Sequence, residues 1–173
     1  MTVYVALLRA INVGGTGTLS MKDLAALCTG LGFAGVRTYI QSGNAVFASR
    51  NNEEAVRKAL AAALSTHLGR RADVIVRSGA EMAAVLAGNP FPKAVPAKVG
   101  VAFLTGPLGE GARTEIVIPG REEVVLGRRE AYIHFPDGMG RSRLKLPAAW
   151  GPTTVRNVNT VARLAAMAAE VGG

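Results

Sequence analysis

The chain has 173 residues, 49% of them hydrophobic, and its net charge at neutral pH is +8. This length predicts one domain or two small packed halves, and the hydrophobic content argues against intrinsic disorder. The sequence has no apolar run near the ~20 residues of a membrane helix and no signal-peptide pattern. With one cysteine and two histidines, we expect a cytoplasmic protein with no disulfide, no standard zinc site and no cofactor.

The positive charge concentrates in residues 137–163, which contain a single acid, Asp137. A basic cluster favours phosphate-bearing partners, whereas a solvated basic surface is the ordinary alternative. The basic residues of this segment are Arg141, Arg143, Lys145, Arg156 and Arg163.

The first half of the chain predicts the order β-α-β-β-α-β followed by a short helix. Val3–Leu8 is a continuous apolar run, which is typical of a central strand buried on both faces. Capping residues and glycines mark the helix ends, and Ser42-Gly43 marks a hairpin. The further predicted elements are a helix from Ser20 to Gly30 or Gly32, strands Val36–Gln41 and Asn44–Ser49, a helix from Asn52 to Gly69, strand Ala72–Arg77, and a helix from Ser78 to about Ala87.

The second half looks like an incomplete echo of the first, after a proline-rich junction at Pro90–Pro96. The fold class predicted is therefore α+β, with two ferredoxin-like (β-α-β-β-α-β) subdomains, the second incomplete, packed as one compact unit. Their predicted bounds are residues 1–89 and 97–173. The elements predicted in the second half are strand Lys98–Thr105, a hairpin of Glu123–Leu126 and Glu130–Phe135, and a closing helix from about Asn157.

Three segments are rich in polar residues that folding alone does not require: residues 9–15, 39–44 and 156–160. Amides and guanidinium groups are strong recognition groups but poor general bases, so these segments indicate binding more than proton transfer. Turns and helix caps are the structural alternative for the same residue types. The predicted recognition residues are Arg9, Asn12, Gln41, Ser42, Asn44, Arg156, Asn157 and Asn159.

Two loops are candidates for anion binding. Gly14–Gly17 precedes a predicted helix, but it matches neither a Walker motif nor a dinucleotide fingerprint. The loop from Asp137 to Lys145 combines two glycines with three cations, so it would offer an anion both backbone donors and fixed charge. The predicted anion contacts are Arg141, Ser142 and Arg143, and a solvated basic turn is the alternative.

The segments "LLRAINVGG", "RTYIQSGNAVF", "RNVNTV" and "PDGMGRSRL" resemble the signatures of an uncharacterised bacterial family, domain of unknown function family 1697. The resemblance extends over essentially the whole chain. It implies two ferredoxin-like subdomains and brings no agreed activity. The family usually has an aromatic residue where this chain has Val158, so no stacking role is implied for that segment.

These features predict a non-catalytic cytoplasmic binding protein for a phosphate-bearing ligand, either a nucleic acid or a nucleotide. One alternative is an enzyme that acts on a small anionic substrate with His134 as acid or base. Another is a protein-interaction module, which predicts an exposed apolar patch. Cys28 and His67 fall on or near helix faces where structural roles are expected.

Overall fold

Two four-stranded sheets and four α-helices make up the part of the chain that the computed structural model describes: residues 1–9, 19–39 and 43–173, without the side chain of Thr114. All pairing within the two sheets is antiparallel, which confirms the predicted α+β class. The chain divides into unit 1, Met1–Ala84 with Arg163–Gly173, and unit 2, Val85–Ala162. The sequence predicted residues 97–173 as the second subdomain. In the structure, the last residues of that range, Arg163–Gly173, group with unit 1.

Unit 1 has the predicted β-α-β-β-α-β order. Its strands lie in the order β2-β3-β1-β4, so the first strand is central and the helices are the crossover connections. The elements are β1 (Thr2–Arg9), α1 (Met21–Gly30), β2 (Ala34–Tyr39), β3 (Asn44–Ser49), α2 (Glu53–Leu68) and β4 (Asp73–Ser78), followed by α3 (Gly79–Ala87).

Helix caps set the ends of the unit 1 helices as the sequence predicts. The Ser20 hydroxyl accepts a hydrogen bond from the Asp23 amide at 2.9 Å, and the Asn52 side chain accepts one from the Ala55 amide at 2.9 Å. Gly69 ends α2 with a φ of 68°, a left-handed conformation that glycine adopts without strain.

Both faces of the unit 1 sheet are covered. On one face, α1 and α2 pack fully buried side chains such as Leu24 and Leu60 against Ala6 and Phe47. On the other face, residues such as Val5 are also completely buried. Burial on both faces explains why β1 is a continuous apolar run without alternation.

The end of α4 (Val158–Gly172) belongs to unit 1. Glu170 near its C-terminus forms an ion pair with Arg37 on β2. Gly79 permits a close approach, because a Cβ at this position would lie only 2.9 Å from the Cβ of Ala168. These contacts tie the last turns of the chain to the first sheet.

Unit 2 repeats the strand order of unit 1 without its crossover helices. Its sheet order is β6-β7-β5-β8, which matches β2-β3-β1-β4 strand for strand. The connections between its strands contain short 3-10 helices at Ala112–Glu115, Met139–Arg141 and Ala148–Trp150. Within its described residues, unit 2 is therefore incomplete in that it lacks the two crossover helices of unit 1. The strands are β5 (Val99–Leu104), β6 (Glu123–Leu126), β7 (Glu130–His134) and β8 (Thr153–Asn157), of which the sequence analysis missed β8.

The long connections of unit 2 cover one face of its sheet in place of helices. Leu144, Leu146 and Trp150 from the connection before β8 pack against Ile133 and its buried neighbours. The two connections are joined by a pair of backbone hydrogen bonds between Val117 and Lys145, at 3.0 and 2.9 Å. Irregular connections therefore cover one face of the unit 2 sheet, as two amphipathic helices cover one face of the unit 1 sheet.

Candidate functional site

An exposed ion pair of unit 2 joins the first residue of the predicted anion-binding loop, Asp137, to an arginine outside that loop. Arg121 precedes β6, and Asp137 follows β7. The Arg121 Nε donates to Asp137 Oδ2 at 3.3 Å, and Nη2 donates to Oδ1. The two hydrogen bonds use the fork of the guanidinium group, the same geometry with which arginine binds phosphate. The Arg121 side chain is 73% exposed and that of Asp137 is 60% exposed, so both face solvent.

Two more cations act on the Asp137 carboxylate through their charge. The Lys98 ammonium donates to the Pro136 carbonyl at 3.1 Å, and Arg141 ends the 3-10 helix that follows Asp137. The hydrogen bond from Arg121 is the main cause that lowers the pKa of Asp137, and the charges of Arg121, Lys98 and Arg141 act in the same direction. We call Lys98, Arg121, Asp137 and Arg141 the basic corner. These four residues carry three positive charges and one negative charge, and the Glu122 carboxylate, which acts on Arg121, adds a second negative charge beside them.

The predicted contact Ser142 is engaged by the protein's own carboxylate. Its hydroxyl donates to Glu122 Oε1 at 2.8 Å and accepts a hydrogen bond from the Leu144 amide at 3.1 Å. The neighbouring residues Arg121 and Glu122 thus hold the two ends of the segment 137–142. Arg143 is exposed to solvent beyond this segment.

Two predicted recognition residues of unit 1 have local partners. Arg9 Nη1 lies 3.6 Å from Asp73 Oδ2, and the Arg9 side chain is 42% exposed. Asn44 is completely buried, and its amide donates to the Tyr39 carbonyl at 2.9 Å, within the β2–β3 hairpin. Further predicted residues lie outside the described residues: Asn12, Gln41 and Ser42, with the Gly14–Gly17 loop.

The third polar motif lies on β8 and the start of α4. Arg156 is buried, and its Nη1 donates to Thr154 Oγ1 at 2.6 Å and to the Val155 carbonyl at 3.2 Å. Burial lowers the pKa of Arg156 to about 10. The Asn157 side chain caps α4 by accepting from the Thr160 amide at 2.9 Å. Asn159 is exposed. A role of this motif in recognition stays a prediction.

Unit 1 has a buried arginine at the position equivalent to Arg156, and sequence reasoning missed it. Arg77 on β4 lies opposite Val5 on β1, as Arg156 on β8 lies opposite Val101 on β5. Arg77 donates to the carbonyl of the residue before it at 3.0 Å, as Arg156 does. Ser78 then caps α3 as Asn157 caps α4, since its hydroxyl accepts from the Glu81 amide at 3.1 Å.

The groups considered for catalysis have ordinary surroundings. His134 on β7 is half-buried, with its ring centroid 5.6 Å from that of Phe91. Its role as acid or base stays a prediction. Cys28 is completely buried, as predicted, and burial raises the pKa of its thiol to about 12. His67 Nε2 lies 3.8 Å from Asp23 Oδ2. Within residues 1–9, 19–39 and 43–173, no three histidine, cysteine or acidic side chains are grouped to hold a metal ion.

Two cavities of unit 1 contain none of the predicted residues. One, of about 400 Å³, lies between α1 and α2, with Leu27 and Ala63 in its wall. The other, of about 460 Å³, is lined by small residues of α3 and α4 beside Val3. In the described part of the chain, the exposed large hydrophobic side chains are Met1, Val95, Val117 and Val125. None of its helices has the length and apolar character needed to cross a membrane.

The fold and its two repeated sheets define an α+β protein with two units of one strand order. The chain belongs to the family described as Protein of unknown function (DUF1697), whose profile matches residues 1–132. A conserved bacterial protein from Streptococcus pneumoniae has a similar structure, with a TM-score of 0.77 and 23% sequence identity. That likeness covers 96% of this chain and 98% of the other, and at this identity it shows the fold. No curated protein matches the chain.

Proposed function

We propose that this protein is a non-catalytic binding protein for a phosphate-bearing ligand, a nucleic acid or a nucleotide, and that it contacts the phosphate through the basic corner. The observation that supports the proposal is that three exposed cations act on the Asp137 carboxylate, one of them, Arg121, through direct hydrogen bonds. Arg143 extends the positive charge beyond them.

The chemistry of the corner suits phosphate. A guanidinium group presents two parallel donors to two phosphate oxygens, and a lysine adds a mobile point charge. The net charge of +8 favours the approach of a polyanion from solution. Since arginine and lysine stay charged near neutral pH, the corner is suited to holding an anion more than to moving protons.

The proposal is tested by measuring how salt changes binding. Fluorescence anisotropy with a labelled single-stranded oligonucleotide gives the affinity at several salt concentrations, and thermal shift with inorganic phosphate and a nucleoside triphosphate distinguishes a small ligand from a nucleic acid. If three cations contact phosphates, the slope of log affinity against log salt concentration is roughly −2, at ~0.7 per contact on a single strand.

Arg141→Ala is expected to weaken oligonucleotide binding and to reduce that slope by ~0.7. Arg70→Ala is the matched control, because it removes the same charge from an exposed position of unit 1. An affinity of Arg141→Ala equal to that of Arg70→Ala would remove the basic corner from the proposal. If the unaltered protein bound none of the probes, the proposed function would be wrong.

Two assignments accompany this proposal. We assign both units to the ferredoxin-like class, because the β-α-β-β-α-β order of unit 1 has the matching strand order in unit 2. We place the protein in the cytoplasm, because a single cysteine leaves no intrachain disulfide to form.

A further inference from the structure

The fork of Arg121 already holds an anion, which is the protein's own Asp137 carboxylate. A phosphate that binds Arg121 with the same two donors must take the place of this carboxylate. The corner is therefore a self-occupied site, and the occupant comes from the loop that the sequence analysis selected for anion binding.

A hydrogen-bonded turn fixes the backbone around Asp137, whereas its side chain is exposed to solvent. The Gly138 amide donates to the Phe135 carbonyl at 2.9 Å, which closes a tight turn with Pro136 and Asp137 in the middle. Gly138 has a φ of 92°, which favours glycine after Asp137. Rotation about the side-chain bonds of Asp137 would release Arg121 without a change in the turn, because the carboxylate faces open solvent.

We propose that Asp137 is a built-in competitor for the phosphate ligand: its carboxylate occupies the Arg121 fork in the free protein and leaves it when a phosphate group binds. This inference rests on the proposed function. The three cations favour the exchange, since a terminal phosphate monoester carries a charge near −2 at neutral pH, in place of the single charge of a carboxylate.

Competition and simple charge repulsion make different predictions. A competitor that leaves the site lowers the affinity of every ligand that displaces it by the same factor, because the cost of its departure is independent of what replaces it. A carboxylate that stays beside the ligand repels a dianion more strongly than a monoanion. The ratio of two affinities therefore distinguishes the two mechanisms.

The experiment compares Asp137→Asn and Asp137→Ala with the unaltered protein. The probes are one short oligonucleotide with a 5′-phosphate and the same oligonucleotide with a 5′-hydroxyl, both measured by fluorescence anisotropy. The control is Glu54→Gln, which also removes one negative charge from an exposed carboxylate paired with two cations, Arg57 and Lys58, on α2 of unit 1. Circular dichroism checks that each variant is folded.

Both Asp137 variants are expected to bind both probes about two- to fivefold more tightly, the range for release of an exposed ion pair. The preference for the 5′-phosphate stays the same, and Glu54→Gln changes each affinity less than twofold. A larger gain for the 5′-phosphate probe, or a gain that Glu54→Gln reproduces, would overturn the inference and leave only a charge effect.

The inference and the proposed function fail in different ways. If the unaltered protein binds the probes and the Asp137 variants bind them no better, the competitor role alone is wrong. If neither the unaltered protein nor the variants bind either probe, the proposed function is wrong and the inference falls with it.

Discussion

Unit 1 and unit 2 have the same strand order but different connections between the strands. In unit 1 the crossovers are the helices α1 and α2, whose side chains fill the core on one face of the sheet. In unit 2 the crossovers are irregular, and apolar residues such as Leu146 and Trp150 cover the sheet from loops. Three residues of the basic corner, Arg121, Asp137 and Arg141, lie on these loops. The comparison indicates that the strand order of the sheet defines the fold of each unit. Connections that are not helical need no apolar residue at each helical turn, so they can present more polar groups to solvent.

The two units also share a structural feature that does not depend on how their strands are connected. Each has a buried arginine on its last strand, Arg77 or Arg156, followed by a residue that caps the next helix. A feature repeated at the same register in both sheets favours an architectural role. It gives Arg156 a structural explanation beside its predicted part in recognition.

The largest expected effect sharpens the contrast between helical and irregular crossovers. Leu60→Ala leaves a cavity under α2, where the side chain is completely buried, and we expect it to lower the free energy of unfolding by about 2–5 kcal/mol. Leu146→Ala, in the loop that covers the unit 2 sheet, is expected to cost less, because a half-buried loop residue leaves a site that can collapse. Urea unfolding of both variants measures the difference, and equal losses would contradict it.

The equivalence of the two buried arginines is tested by Arg77→Met and Arg156→Met. Each change leaves a strand carbonyl without its side-chain donor, and Arg77→Met also removes the ion pair of Arg77 Nε with Glu81 at 3.3 Å; we expect each to lower the free energy of unfolding by about 1–3 kcal/mol. Similar losses in thermal unfolding would support a shared architectural role. Loss of oligonucleotide binding by Arg156→Met at unchanged stability would show that Arg156 acts in recognition and that the two positions differ.

The helix caps that follow these arginines offer a third comparison. Ser78→Ala and Asn157→Ala each remove the acceptor of an amide in the first turn of a helix, and we expect each to lower the free energy of unfolding by about 1 kcal/mol. Thermal unfolding of both variants checks this prediction. Replacement of Asn157 by aspartate keeps the acceptor and is expected to retain the stability.

The smallest effect concerns pH. The hydrogen bond from Arg121 lowers the pKa of Asp137 in unit 2, and the hydrogen bond from Arg57 lowers the pKa of Glu54 in unit 1. A carboxyl group whose pKa is lower in the folded state adds stability above its unfolded pKa of about 4, and that stability is lost as the pH falls through the folded pKa. The melting temperature of a Glu54→Gln and Asp137→Asn double variant should therefore fall slightly less on acidification than that of the unaltered protein. An identical fall in both proteins would contradict the assignment.

Most of the fold could be predicted from the sequence, because caps, glycines and apolar periodicity mark seven of the eight strands and all four of the helices in the described residues. The eighth strand, β8, was missed because its buried positions are Thr154 and Arg156, so the alternation reads as polar.

The candidate site could be predicted only in part. Lys98 and Arg121 lie far along the chain from Asp137, and no local pattern links them to it. Pairing of β5 with β7 brings Val99 beside His134, and with it Lys98 beside the loop.

The central claim is that phosphate binds at the basic corner, and nuclear magnetic resonance mapping of backbone amides during titration with the 5′-phosphorylated oligonucleotide tests it most directly. The account predicts the largest shift changes at Lys98, Arg121, Asp137 and Arg141, with unit 1 strands such as β2 little affected. Changes confined to unit 1, or no changes at saturating oligonucleotide, would contradict it.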